Sequence, residues 1–278
     1  TIETLTSALN IYTSDKEKSL NIKEYILSKG YTIEPIRFRK SKAEYEYDKD
    51  SGTIYQGIGA IKYCNDTIAE ELYALRDNKY DSFVELIKDI KEHTSVNSRQ
   101  LEILTGLNFF SEFGKNKYLL GVIQVYDKFA TCKQIKKNKL EELGISEYIA
   151  KKYSGKETNS LFKEIDNIGL VKELCSHIEN KEMGIIEMIK FEKEHLEMVV
   201  YTNPKVSDSY YIIVDYKTFK DATKPYFTAR KVRTGEEVHS RIKQGRIFKE
   251  SPFGLYSVLK IKEFDKEFMQ WIMDFPKK

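Results

Sequence analysis

The hydrophobic repeat of this chain changes at Asn203-Pro204, and nothing else in the sequence limits the fold as strongly. Upstream, apolar residues recur with the helical period: Leu5, Ala8, Leu9 and Tyr12, then Ile22, Tyr25 and Ile26, then Phe83, Leu86, Ile87 and Ile90, then Leu101 and Leu104, then Leu170, Val171 and Leu174, then Ile185 through Val199. Downstream the period is two, the pattern of strands with one covered face. Five strands are expected, over Tyr210 to Tyr216, Tyr226 to Arg233, Glu237 to Lys243, Arg246 to Lys249 and Leu255 to Lys262, with Thr234-Gly235, Gln244-Gly245 and Pro252-Phe253-Gly254 as turns. The class implied is α+β and multidomain: helical units, then a small C-terminal β-barrel of the oligonucleotide-binding (OB-like) type.

Within the helical part, Lys29-Gly30-Tyr31 ends the first helical stretch, Tyr31 to Ile36 reads as extended, and Glu44 to Tyr55 reads as a hairpin turning at Asp48-Lys49-Asp50-Ser51-Gly52. The turn's carboxylates are accounted for by local hydrogen bonding, so no metal is assigned to them. Next comes Gly57-Ile58-Gly59-Ala60-Ile61-Lys62, ahead of a helix opening at Thr67-Ile68-Ala69-Glu70, which has the form of a capping box. Ser82 with Glu85 and Asn97 with Gln100 open two further helices in the same way. Glycines let main chain approach a ligand closely, and helix N-termini aim unpaired N–H groups at anions. The stretch therefore reads as a helix-hairpin-helix grip on a DNA backbone, within a helical unit ending near Phe129. Gly57, Gly59, Lys62 and Thr67 are its candidate donors to duplex phosphates.

From Thr131 to Ser160 the composition turns to Lys, Glu and Asn, with Lys151 to Lys156 as the most linker-like part, and residues 161 to 204 read as helical again. The expected division is 1–50, 51–130, 131–204 and 205–278.

The net charge of +3 says little, but residues 217 to 262 carry +8 and the rest of the chain −5. On the expected barrel, Arg230, Lys231, Arg233, Arg241 and Lys243 flank one hairpin beside Tyr226 and Phe227. Cations that track phosphates, with aromatics that stack on bases, hold single strands without sequence preference. The alternative is that the aromatics are core and the cations only solubilise. The three cysteines, Cys64, Cys132 and Cys175, have no C-x-x-C spacing, which suits a reduced, cytoplasmic protein without structural zinc. No apolar run is long enough for a membrane span. His93, His177, His195 and His239 are scattered, and no phosphate loop, nucleophile elbow or metal-ligand spacing occurs, so no catalytic residue, metal or cofactor is assigned to this chain.

Over residues 1 to about 130 the chain resembles the region after the palm in bacterial C-family replicative DNA polymerases, the polymerase III alpha subunit. The resemblance rests, in order, on Ala8-Leu9-Asn10 with Asp15-Lys16, Glu24-Tyr25-Ile26, Gly30, Ile33-Glu34-Pro35, Ser41-Lys42-Ala43-Glu44-Tyr45, Gly57 to Lys62, Ser82-Phe83, Asn97-Ser98-Arg99 and Phe113-Gly114. It implies an end-of-fingers region over 1–50 and a helix-hairpin-helix unit over 51–130. Ser160-Leu161-Phe162 is similar to that family's internal clamp-binding peptide, and Phe191-Glu192-Lys193-Glu194 to the helix leading into its barrel.

Two departures stand out. Tyr63-Cys64-Asn65 occupies the place of the family's second hairpin glycine pair, and Thr158 that of the clamp peptide's leading glutamine. The family's metal-binding palm carboxylates lie upstream of the matched region. The resemblance thus implies a non-catalytic C-terminal segment of a DNA-directed DNA polymerase, a magnesium-dependent nucleotidyltransferase, beginning at Thr1 as a piece of something longer. Its partners would be primer-template duplex, single-stranded template and a sliding clamp, with no membrane. The reading open beside it is a stand-alone adaptor that keeps the fold with weak or no DNA binding.

Overall fold

The computed structural model describes residues 1–59, 61–196, 199–265 and 270–274. The chain divides into two compact units, Thr1–Met183 and Gly184–Lys278.

The first unit opens with α1 (Ile2–Ile11) and α2 (Lys16–Ser28), the second capped by the Asp15 carboxylate, which accepts the Lys18 amide. Gly30 ends this pair at φ +83°, where a side chain would be strained. β1 (Thr32–Glu34) runs parallel to β3 (Thr53–Tyr55), which pairs antiparallel with β2 (Glu46–Asp48). The Asp48 carboxylate accepts the amides of Asp50 and Ser51, so the expected hairpin and its turn chemistry are both present. Ile2, Leu9, Ile26, Tyr45 and Ile54 form the core of this region.

Four helices follow: α3 (Asp66–Ala74), α4 (Phe83–His93), α5 (Ser98–Gly106) and α6 (Asn116–Phe129). Phe38 packs against Phe109 and Phe110, and Phe110 against Phe83 at 5.3 Å between ring centroids. The Phe38 amide also donates to the Phe109 carbonyl, so the segment after β1 is fastened to the helices by aromatic burial and a main-chain bond.

Residues 131 to 183 are not an extended linker. β4 (Gln134–Lys136), α7 (Lys137–Glu142), α8 (Glu147–Lys152), β5 (Ser154–Glu157), β6 (Leu161–Ile165) and α9 (Asn167–Ser176) form a folded lobe with strand order β4-β6-β5. α9 packs on α6, and the unit continues without division through 50/51 and 130/131. Lys-rich composition described solvated faces here, while the core is carried by a few residues such as Ile135, Leu140 and Phe162. The helix expected from residue 161 is a strand because Thr158 closes a tight turn, its amide and hydroxyl donating to the Leu161 carbonyl.

In the second unit, α10 (Ile185–His195) precedes β7 (Tyr210–Lys217), β8 (Tyr226–Lys231), β9 (Glu237–Arg241), α11 (Gly245–Glu250), β10 (Val258–Asp265) and β11 (Gln270–Asp274). The strands form one antiparallel sheet in the order β11-β10-β7-β8-β9. Alternation sends Ile213, Phe227, Ala229, Leu259 and Ile261 into one core, while Ile212 and Val214 meet Ile189 of α10. The unit thus begins at 184 rather than 205: the helical period continues unbroken into α10, yet α10 is needed to cover the second apolar face of β7.

Two expectations change in this unit. Arg246 to Lys249 is the helix α11, closed by an Arg246–Glu250 pair at 3.1 Å, since so short a segment shows no period of its own. The fifth strand is β11 instead. Among the described residues the sheet is open, with β9 and β11 at its edges, and not a closed barrel.

Candidate nucleic-acid interface

The glycines of the hairpin serve the protein's own backbone. A Cβ on Gly57 would stand 2.3 Å from the Ala43 carbonyl oxygen and 2.4 Å from the Glu44 carbonyl carbon, and one on Gly59 would stand 2.9 Å from Ala43 O. The amides of Ile58 and Gly59 donate to the carbonyls of Lys42 and Ala43, both at 2.9 Å. The segment Ser41 to Tyr45 therefore lies against Gly57 to Gly59 as a main-chain seam that only glycine admits. Gly59 has spent its N–H on Ala43 and Gly57 is buried, which removes both from the set of phosphate donors expected of them.

The outward side of the hairpin begins at Lys62. Lys62 is exposed, and its ammonium sits 5.5 Å from the centre of the Tyr63 ring. Tyr63 is itself 44% exposed with φ +70°, a left-handed conformation that costs a non-glycine residue about 1 kcal/mol. Three interactions hold it there. Arg99 stacks over the ring at 3.9 Å and donates to the phenol oxygen at 2.9 Å, and Gln100 Nε2 donates to the Tyr63 carbonyl at 2.8 Å.

Two helix N-termini converge on this tyrosine. Asn65 caps α3, its side-chain oxygen accepting the Ile68 amide at 3.0 Å. The cap therefore falls two residues before Thr67, which sits exposed inside the first turn. Asn97 caps α5 in a complete capping box, with Gln100 Oε1 returning to the Asn97 amide, as its spacing implies. Ser82, by contrast, makes no capping bond, and Glu85 accepts the Asp81 amide instead. Glu71 of α3 accepts both the amide and the hydroxyl of Ser95 at 2.7 Å, which clips the α4–α5 loop to α3.

Each helix start carries about half a positive charge, and its first N–H groups have no partner within the helix. With Lys62, Arg99 and the exposed Thr67 beside them, they make a surface suited to an anion. Asp66, in the first turn of α3, opposes that field in part. Neither Arg99 nor Tyr63 is among the phosphate donors expected from the sequence: the place of Arg99 just inside a capped helix is a signal that could have found it, whereas nothing in sequence marks an aromatic held at positive φ.

In the second unit the expected single-strand residues separate. Phe227 belongs to the core and is 4% exposed, so it cannot stack on a base. Arg230 is 9% exposed and donates to the Gly235 carbonyl at 2.7 Å and to Glu237 at 3.1 Å. Lys231 and Arg233 both reach Asp208, at 3.3 and 3.6 Å. Tyr226 and Arg241, paired across β8 and β9, are exposed and joined by a 3.0 Å hydrogen bond, and Lys243 is exposed just beyond. Alternation alone could not foresee that the outer face also spends cations on carboxylates.

Ser160, Leu161 and Phe162, expected as a clamp-binding peptide, lie at and within the central strand of the small sheet. Phe162 is fully buried, so its ring is not free to anchor a partner. Burial pushes the Cys64 thiol up to about 11 and the Cys175 thiol up to about 12, which keeps both protonated. Among the described residues no three or more His, Cys, Asp or Glu side chains gather as metal ligands, and no helix is long and apolar enough to cross a membrane.

Residues 30–120 match the family model of the helix-hairpin-helix motif. No curated protein matches the chain. The chain thus carries a helix-hairpin-helix unit, a motif that points to nucleic-acid binding, and its matched span includes the Ser41–Gly59 seam and all the residues around Tyr63.

Proposed function

We propose that this chain holds DNA without acting on it chemically, as the cytoplasmic C-terminal segment of a polymerase III alpha-type replicative enzyme whose magnesium-dependent palm lies elsewhere. The observation that carries the reading is the convergence of two helix N-termini, Lys62 and Arg99 on one exposed turn. Duplex phosphates would dock there, with Thr67 at the margin. The second unit would hold single-stranded template through Tyr226, Arg241 and Lys243. The five-stranded antiparallel order β11-β10-β7-β8-β9, with α11 between the third and fourth strands, supports reading this unit as a partly open oligonucleotide-binding barrel.

Fluorescence anisotropy of the full chain with labelled primer-template DNA over a salt series tests this. Affinity should fall steeply with salt and depend little on sequence. Lys62→Glu with Arg99→Glu should weaken duplex binding about tenfold or more and lower the log–log salt slope by about one for each phosphate no longer neutralised. Flat or absent binding would favour the adaptor reading. The feature that speaks for that rival is a groove of about 590 Å³ lined by apolar residues such as Val125, Phe129, Ile145 and Ile178.

A further inference from the structure

On the outer face of β8 and β9 three cross-strand rungs follow one another: Tyr226 with Arg241, Thr228 with His239, and Arg230 with Glu237. They differ in what they offer a ligand. At the third rung the arginine is buried and bridged to the glutamate, and beyond it Lys231 and Arg233 are drawn to Asp208. At the second, Thr228 is buried and its hydroxyl meets His239 Nδ1 at 2.8 Å. Only the first rung presents an open aromatic face beside an exposed guanidinium.

That rung is extended by a residue outside the strands. Phe219, in the β7–β8 loop, is 70% exposed and meets the Tyr226 ring edge-to-face, with centroids 5.3 Å apart and planes at 87°. Arg241 lies 5.8 Å from the centre of the same ring. Large aromatics left this open are costly in water, and here two are held in a fixed mutual geometry with a cation bonded to one of them. Two perpendicular rings form a corner: a flat apolar group can stack on either while its neighbouring phosphate meets the guanidinium.

We propose that Phe219, Tyr226 and Arg241 form a clamp for one unpaired nucleobase and its phosphate, at the β7–β8 loop end of the sheet, and that the strand does not run on past Arg230. The inference rests on the single-strand part of the reading above and deepens it. A base in a duplex has both faces covered by its neighbours, so the clamp takes single strands or frayed ends only. Stacking needs no hydrogen-bond pattern, so it takes any base.

The test is anisotropy of the full chain with labelled oligothymidine, the same strand made abasic, and a blunt duplex. Phe219→Ala, at an exposed position outside both cores of the unit, should weaken oligothymidine binding roughly tenfold or more. It should leave blunt duplex unchanged, and Phe219→Trp should restore the wild-type value. The abasic strand should bind weakly and equally to wild type and Phe219→Ala. Wild-type single-strand affinity in Phe219→Ala, an equal loss on duplex and single strand, or no single-strand binding by the wild-type chain overturns the clamp. Failure of the duplex reading shows separately, as insensitivity of blunt duplex to Lys62→Glu with Arg99→Glu.

Discussion

The hairpin surface of the first unit and the strand face of the second both collect cations, yet they keep them in different states. At the hairpin, Lys62 and Arg99 lean on a tyrosine ring, a partner that orients a cation without neutralising it. On the sheet, Arg230 is bridged to Glu237, and Lys231 and Arg233 to Asp208. An incoming phosphate finds positive charge at the first surface but must displace a carboxylate over much of the second. The +8 carried by residues 217 to 262 therefore overstates what is available there, whereas Lys62 and Arg99 keep their charge open to an anion.

The largest effect that would break this comparison concerns the seam beneath the hairpin. Gly57→Ala should destabilise the full chain by about 3 kcal/mol, because its Cβ meets fixed backbone and not a side chain that can swing away. Gly59→Ala should cost less, about 1 kcal/mol, since its closest backbone neighbour is at 2.9 Å. Urea unfolding midpoints would rank the two. A Gly57→Ala chain as stable as wild type, with weakened duplex binding, would return the glycines to the DNA.

Next in size is Arg230→Ala. Removing it takes away the buried guanidinium that donates to the Gly235 carbonyl and leaves that group short of its partner, at a cost of about 2 kcal/mol in unfolding free energy. Single-strand affinity of the folded protein should hardly move. A selective loss of single-strand binding at unchanged stability would place Arg230 on the strand path and erase the contrast between paired and open charge.

The same contrast separates what was legible in the sequence from what was not. Local rules carried far: the Asp48 turn, the Gly30 stop, the Asn97–Gln100 capping box and the Thr234-Gly235 turn between β8 and β9 all follow from residue type and spacing, because their partners lie within a few positions. Where the partner is distant in sequence, residue type misleads. Gly57 is explained by Ala43 and Glu44, Lys231 by Asp208 and α10 by the outer face of β7. Phe162 illustrates this best: a short apolar pair in a charged stretch looked like an exposed peptide, when its neighbours were charged because only their outer side meets water. Phe219 is the converse, an apolar residue between Thr218 and Lys220 that is 70% exposed.

The smallest effect tests whether a buried charge backs the sheet face. Glu192 of α10 is 3% exposed, and its carboxylate accepts the amides of Val200 and Tyr201 at 2.9 and 2.8 Å. Burial pushes its pKa above the ordinary carboxylate value, while those amides and the charge of Arg230 pull it partly back. A carboxyl whose folded pKa is raised favours the protonated form on folding. Its contribution to stability is therefore complete below the unfolded value and is lost as pH rises through the folded one. Glu192→Gln can still accept both amides and does not titrate, so it should be more stable than wild type at neutral pH, with the gap closing as pH falls into the carboxylate range. Thermal unfolding of both proteins across that range would show converging curves. Parallel curves would mean that Arg230 and the two amides fully offset the burial, and that the arginine's charge is directed inward at Glu192 as well as toward Glu237.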